Sequence, residues 1–158
     1  MAPGAQTKVA QAISPYSMAG GTWAAPWWTG ATMQTLVGAV NLADKHYEAD
    51  GGPASWHYEQ WLDDGWSFHA PVDGRSPNPF GLHDVLGNVW EWASDRYAPY
   101  GAQVEPAPEQ TVGDLTRTCR GGGFNCIGAD ARSAIRFHGS PEYRSYDIGL
   151  RPVRGIDA

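Results

Sequence analysis

Cysteine is nearly absent from this chain: Cys119 and Cys126 are the two among 158 residues. Two sulfurs cannot build a disulfide framework, and they leave either one bridge or two free thiols. Long apolar runs are missing as well, so no membrane insertion is expected. The opening stretch MAPGAQTKVAQAISPYS has no basic patch followed by an apolar one, and so does not read as a secretory signal. Positive charge is in deficit. A formal net charge of −6 argues against nonspecific binding to nucleic acid or to an anionic membrane surface. The arginines that are present cluster late in the chain, between acidic and apolar residues, and read as structural. His46, His57, His69, His83 and His138 show no metal-ligand spacing. No internal repeat is visible.

Glycine and proline are abundant instead, at 20 and 12 residues, and the eight tryptophans make up in buried area for an apolar fraction of only 42%. That balance predicts one ordered, loop-rich domain with a real core. Residues 1–22 read as an N-terminal arm or short helix, with Pro15 stopping a helix from Gln6 to Ser14, or else as a frayed terminus. Residues 23–158 form the domain proper. WAAPWW at 23–28 is too aromatic to be left in water. From Thr32 the pattern begins as a helix, with Thr32 as N-cap and Met33, Leu36 and Val37 on one face, and Gly38 and Asn41 end it early. Residues 45–65 read as a long loop around Trp56, Tyr58 and Trp61 rather than as regular structure. GLHDVLGN predicts a tight loop feeding a strand, VWEW, with Val89 and Glu91 on one face and Trp90 and Trp92 on the other. Glu91 among tryptophans needs a partner, because an unpaired buried carboxylate is costly. Residues 98–114 read as an exposed loop, and Thr116 to Arg120 as a returning strand.

From Arg120 to Arg151 two kinds of position are interleaved. A frame consists of Arg120, Gly121 to Gly123, Arg132, Ser133, Ala134, Arg136, Pro141, Glu142, Arg144, Ile148, Gly149 and Arg151. The gaps hold Cys126, Ile127, Gly128, Asp130, Ile135, Phe137, His138, Gly139, Tyr143, Ser145, Tyr146 and Asp147, which follow neither a helical nor a strand period. A constant frame around unlike side chains is the pattern of a recognition surface. Tyr and Phe would supply rigid contact area while Ser, Gly and Asp adapt.

NPFGLHDVLGNVWEW, the preceding APVDG, the upstream NLAD and DDGW, and the closing RGGGF, RSAIR and IGLR together resemble the formylglycine-generating-enzyme (sulfatase-modifying factor) domain. The resemblance runs from about Trp27 to Arg154 and implies an α+β fold of the C-type lectin type, with few short strands and helices. By that resemblance, the further N-terminal portion usual in the family is expected to be missing or replaced in this sequence.

Three functions travel on such a scaffold. Copper-dependent oxidation of a sulfatase cysteine uses two cysteines after the glycine run. Cys126 matches the first, Ala131 stands at the second, and a lone thiolate cannot supply the two-sulfur site of Cu(I), so no copper and no enzyme activity are expected. The alternative is an oxidase-like or accessory domain that has lost its second cysteine. A domain fused to iron enzymes of thiol-histidine biosynthesis would need a histidine cluster on a partner domain, which this chain lacks. The third function is the variable protein of a diversity-generating retroelement, whose variable regions look very like RSA-x-R-xxx-SPE-x-R-xxx-IGLR. Mutating only the adenines of an AAC or AAT codon never yields Lys, Glu, Gln, Met or Trp, and every gap residue above obeys that limit, as does Ser140. The reading is a ligand-binding protein with a hypervariable surface over about 120–151. Its partner would be an unknown protein or surface ligand, and the chain cytoplasmic or virion-associated. Arg132, Arg136, Arg144 and Arg151 are expected to bond loop carbonyls and acidic groups. The resemblance also implies calcium sites of mixed oxygens. One would comprise Asn41, the Leu42 carbonyl, Asp64 and the Trp66 carbonyl; the other Asp84, the Gly87 and Val89 carbonyls and Glu91. The alternative is that Asp84 and Glu91 bind backbone amides or an arginine.

Overall fold

Regular structure is scarce, and the buried core is built mostly from irregular backbone. The computed structural model describes residues 25–100 and 116–152. The expected arm at 1–22, Trp23 and most of the loop at 98–114 lie outside the described residues. Among the described residues, a 3-10 turn spans Met33–Leu36, and one short helix, α1, spans Lys45–Ala49. Four strands follow: β1 (Trp90–Arg96), β2 (Arg117–Arg120), β3 (Phe137–Gly139) and β4 (Ile148–Gly149). They form one sheet in the order β3-β2-β1-β4, antiparallel except for the parallel β1–β4 pair. No described helix is long and apolar enough to cross a membrane.

Leu36 packs inward from the 3-10 turn, as expected, and Met33 packs against the core from its margin. Val37 does not: it is the residue after the last turn and is 61% exposed. Thr32 makes no side-chain cap. α1 is a correction to the expected loop at 45–65. Its cause is Asp44, whose carboxylate accepts from the His46 and Tyr47 N–H groups at 2.9 and 3.1 Å and so starts a helix in a stretch with little periodicity. The segment beyond α1 is a loop, with Trp56 and Tyr58 edge-on to Tyr47.

Trp27, Leu36, Val40, Leu42, Leu62, Val85, Leu86 and Ala131 make one hydrophobic cluster. Backbone pairing around it is long-range and mostly outside the strands. Ala43 N–H donates to the Cys126 carbonyl, Asn88 N–H to that of Asn41, and Phe124 N–H to that of Asn88, each at 2.9 Å. The GLHDVLGN loop makes this approach close. Gly81, Asp84, Gly87 and Asn88 all have positive φ, the region that Gly enters freely and Asn and Asp tolerate. At Gly87, a Cβ would stand 2.2 Å from the Asn41 carbonyl oxygen, so the contact requires glycine.

Candidate recognition surface

β1 begins immediately after this loop, which fixes which way its alternating side chains face. Trp92 pairs with Cys119 of β2, and Cys119 with Phe137 of β3, so these residues share a face with Trp90 and Gly139. Trp90 and Trp92 form the floor. The Phe137 ring lies 5.8 Å from that of Trp90, and the Cys126 thiol donates to the Asn125 side-chain oxygen at 3.7 Å. A Cβ at Gly139 would stand 3.1 Å from the Trp92 ring and 3.5 Å from that of Tyr143. The Asp147 carbonyl accepts from Trp90 N–H at 2.8 Å, while its carboxylate accepts from the Asn125 amide at 2.9 Å and from the Ser145 hydroxyl. Tyr146 packs 5.9 Å from the Phe124 ring, with its carbonyl 2.5 Å from His69 Nε2. His138 stacks on Tyr97 at 4.2 Å.

Phe137, His138, Gly139, Tyr143, Ser145, Tyr146, Asp147 and Cys126 are thus joined through the β1 tryptophans and their neighbours. Asp130, Phe137, His138, Tyr143 and Tyr146 are exposed, and Cys126, Ile127, Ile135, Gly139, Ser145 and Asp147 are half-buried. Gly128 is the exception. It is buried, its carbonyl accepts from the Trp27 indole at 3.0 Å, its N–H donates to Glu59 at 2.8 Å, and a Cβ there would sit 3.2 Å from the same carboxylate. Two strands, β3 and β4, run through a segment whose residues had suggested no period. Trp90, Trp92, Asn125 and Tyr97 were not anticipated as supports; the only signal was the WEW triplet.

The arginines of the frame divide. Arg132 Nε donates to the Ala129 carbonyl at 2.8 Å, as expected. Arg151 donates to both Glu91 carboxylate oxygens and to the His83 and Asp84 carbonyls. Arg136 departs from the expectation, lying over the Tyr100 and Tyr97 rings at 3.7 and 5.1 Å. Arg144 is exposed; the Glu142 carboxyl is held low mainly by the Ser140 hydroxyl, with Arg144 a smaller contributor.

In the first expected calcium set, Asp64 is buried and its carboxylate accepts from the Leu42 and Trp66 N–H groups at 2.8 and 2.9 Å, with Arg75 3.4 Å away. Burial pushes this carboxyl up to about 6 against those donors. Asn41 is fully buried; its amide nitrogen donates to Phe68 and Asn88, and its Oδ1 has no donor. In the second set, Asp84 accepts from Asp73 N–H at 2.9 Å and keeps Oδ1 without a donor, while Glu91 receives the Arg151 guanidinium. This is the amide-and-arginine arrangement weighed above as the alternative. Burial raises the Glu91 carboxyl, and Arg151 pulls it back. Among the described residues, no three His, Cys, Asp or Glu side chains gather as a metal cluster. Both cysteines are free; burial pushes Cys126 up to about 11 and Cys119 to about 12, so both are thiols at neutral pH.

A small curled sheet at the side of a loop-built core is the architecture of the C-type lectin-like, formylglycine-generating-enzyme-like folds. The chain belongs to the sulfatase-modifying factor enzyme 1-like domain family, whose match covers residues 14–156. It is similar to the formylglycine-generating enzyme of Thermomonospora curvata, 39% identical over 56% of this chain and 32% of that protein. To the mouse enzyme it is 32% identical, over 56% of this chain and 25% of that one. The chain therefore spans roughly a quarter to a third of these relatives. Among solved structures, Treponema denticola variable protein 1 aligns over 92% of this chain and 44% of its own, with a TM-score of 0.58 and 23% identity. PvdO of Pseudomonas aeruginosa aligns over 62% and 41%, with a TM-score of 0.50 and 27% identity.

Proposed function

We propose that this chain is a ligand-binding protein whose contact residues are the gap positions of the 120–151 segment, diversified by a retroelement that mutates adenines. The observation that carries the reading is that every gap residue except Gly128 stays at least partly in water, in a segment whose last frame residue, Arg151, is spent on the Glu91 carboxylate. A fold relative is itself named a variable protein. The partner would be a protein or other surface ligand. The test is the neighbouring DNA: a near-copy of the last coding stretch, with adenines at the gap codons and a reverse transcriptase gene beside it, is expected. Its absence would remove the retroelement and leave a plain binding module.

The enzyme reading is the alternative, because the curated relatives include formylglycine-generating enzymes. Against it stand a single Cys126 held as a thiol and a fully buried Ala131 in the place of the second sulfur. No oxidation of a cysteine-containing peptide is expected, and turnover that Cys126→Ser abolishes would overturn the binding reading. Calcium is a secondary, structural proposal. The donor-less Asn41 Oδ1 supports it at the first set, and at the second Arg151 does the work a cation would do for Glu91. Chelator is then expected to lower the melting temperature; an unchanged melt would refute calcium.

A further inference from the structure

One aromatic cluster beside the gap positions comes from outside their segment. After β1 the chain passes through Tyr97 to Tyr100. Arg136 lies 3.7 Å from the Tyr100 ring centroid and 5.1 Å from that of Tyr97. The Tyr100 hydroxyl donates to the Ala134 carbonyl at 2.5 Å. On Tyr97 stacks His138, with rings 29° from parallel, and Tyr97 itself is anchored by its N–H to the Thr116 carbonyl at 3.1 Å. These contacts reach the chain on either side of Arg136.

Two further facts give the cluster a task. β3 is an edge strand, three residues long, and among the described residues its ladder runs to β2 alone. A strand so short, bonded on one side, is weakly held by its own ladder. Arg136 Nε is buried and has no hydrogen-bond partner among the described residues. A guanidinium that gives up a donor on burial needs another source of attraction, and the faces of two tyrosines supply one.

We propose that Tyr97 and Tyr100 clamp Arg136 and so position residues 135–139 for display, with Tyr97 also serving as a flat platform beneath whichever side chain stands at 138. The display, and the changing side chain at 138, rest on the binding function above. The clamp is a matter of these contacts, and the platform of the face a Tyr ring offers to cations, other rings and aliphatic groups alike. Holding the strand before a ligand arrives lowers the ordering cost of binding.

Hydrogen exchange on the full chain tests it without any ligand. Tyr100→Leu is expected to speed exchange of the 135–139 amides roughly five- to tenfold, the range of one partly exposed cation–π contact, and to leave the amides of 85–92 as protected as before. Arg136→Leu should match it, and the double variant should add little to either. Tyr100→Phe, which keeps the ring and loses the hydroxyl bond, and Arg136→Lys, which keeps the charge and loses the flat stack, should each give a smaller increase. These two carry the test if a leucine variant does not fold. Unchanged exchange at 135–139, or faster exchange spread evenly over the sheet, overturns the clamp. Neither result touches the retroelement, which the adjoining DNA decides separately.

Discussion

Replacing Arg151 with methionine should cost this fold far more than an ordinary surface arginine would. Nε donates to both Glu91 oxygens at 2.9 Å, and Nη2 bonds Glu91 Oε1 at 2.5 Å and the His83 carbonyl at 2.9 Å. The Glu91 side chain is 12% exposed and that of Arg151 25%. Breaking such a pair strands a carboxylate away from water, at about 3 kcal/mol, the low end of the usual range because a quarter of the Arg151 side chain is still exposed. In a domain of this size that is a fall of about 10 °C in melting temperature. The loss should depend on pH. Without Arg151 nothing offsets burial at Glu91, so its folded-state carboxyl rises further above its unfolded value. A raised carboxyl is best tolerated below the unfolded value and becomes a growing penalty as pH rises through the folded one. The gap between wild type and Arg151→Met should therefore be widest at pH 7–8 and shrink toward pH 5. Glu91→Gln in the Arg151→Met background should recover part of it. Thermal melts from pH 5 to 8, all in chelator so that no cation can replace the guanidinium, provide the measurement. A gap below about 1 kcal/mol that does not vary with pH would mean that Glu91 is solvated and the buried-pair argument is wrong.

Gly87→Ala should destabilise by at least about 3 kcal/mol, because its Cβ would meet a backbone oxygen at 2.2 Å in a positive-φ residue, and thermal or urea melts would show it. A shift under about 1 kcal/mol would mean that the 41–44 segment yields easily. Asp64 ties stability to pH in the same sense as Glu91: its carboxyl stands at about 6, so its contribution is full below about pH 4 and lost as pH rises through about 6. That slope should vanish in Asp64→Asn; a wild-type melting temperature that climbs over the same window would show the carboxyl to be depressed instead. Tyr143→Ser and Tyr146→Ser should each shift stability by less than about 1 kcal/mol, since the residues are 47% and 64% exposed, and larger losses in a melt would place them in the core.

The loop that organises the core was legible in sequence because it depends on backbone chemistry. Gly81, Gly87 and Asn88 can enter left-handed conformations that most residues avoid, and GLHDVLGN declares this without any contact map. The β1 strand and the inward Leu36 were likewise visible in alternation and spacing. α1 was not: five residues carry too little periodicity, and the cap that starts it is a single carboxylate also bound to the distant Asp64 amide. The interleaving of frame and gap residues was present in the sequence, as was the limit on which amino acids fill the gaps. What the gaps lie against was not. Glu91 gave no hint whether it would meet a metal or Arg151, sixty residues on, since many cations can neutralise a carboxylate and only the parallel approach of β4 to β1 chooses one. Gly128 and Asp130 look alike as gap residues, yet one lies under Glu59 and Trp27 and the other is in water. The chain by itself determined local conformation and which residue types fill its gap positions. The tertiary structure decided which of those positions face solvent, because exposure depends on neighbours brought in from distant parts of the chain.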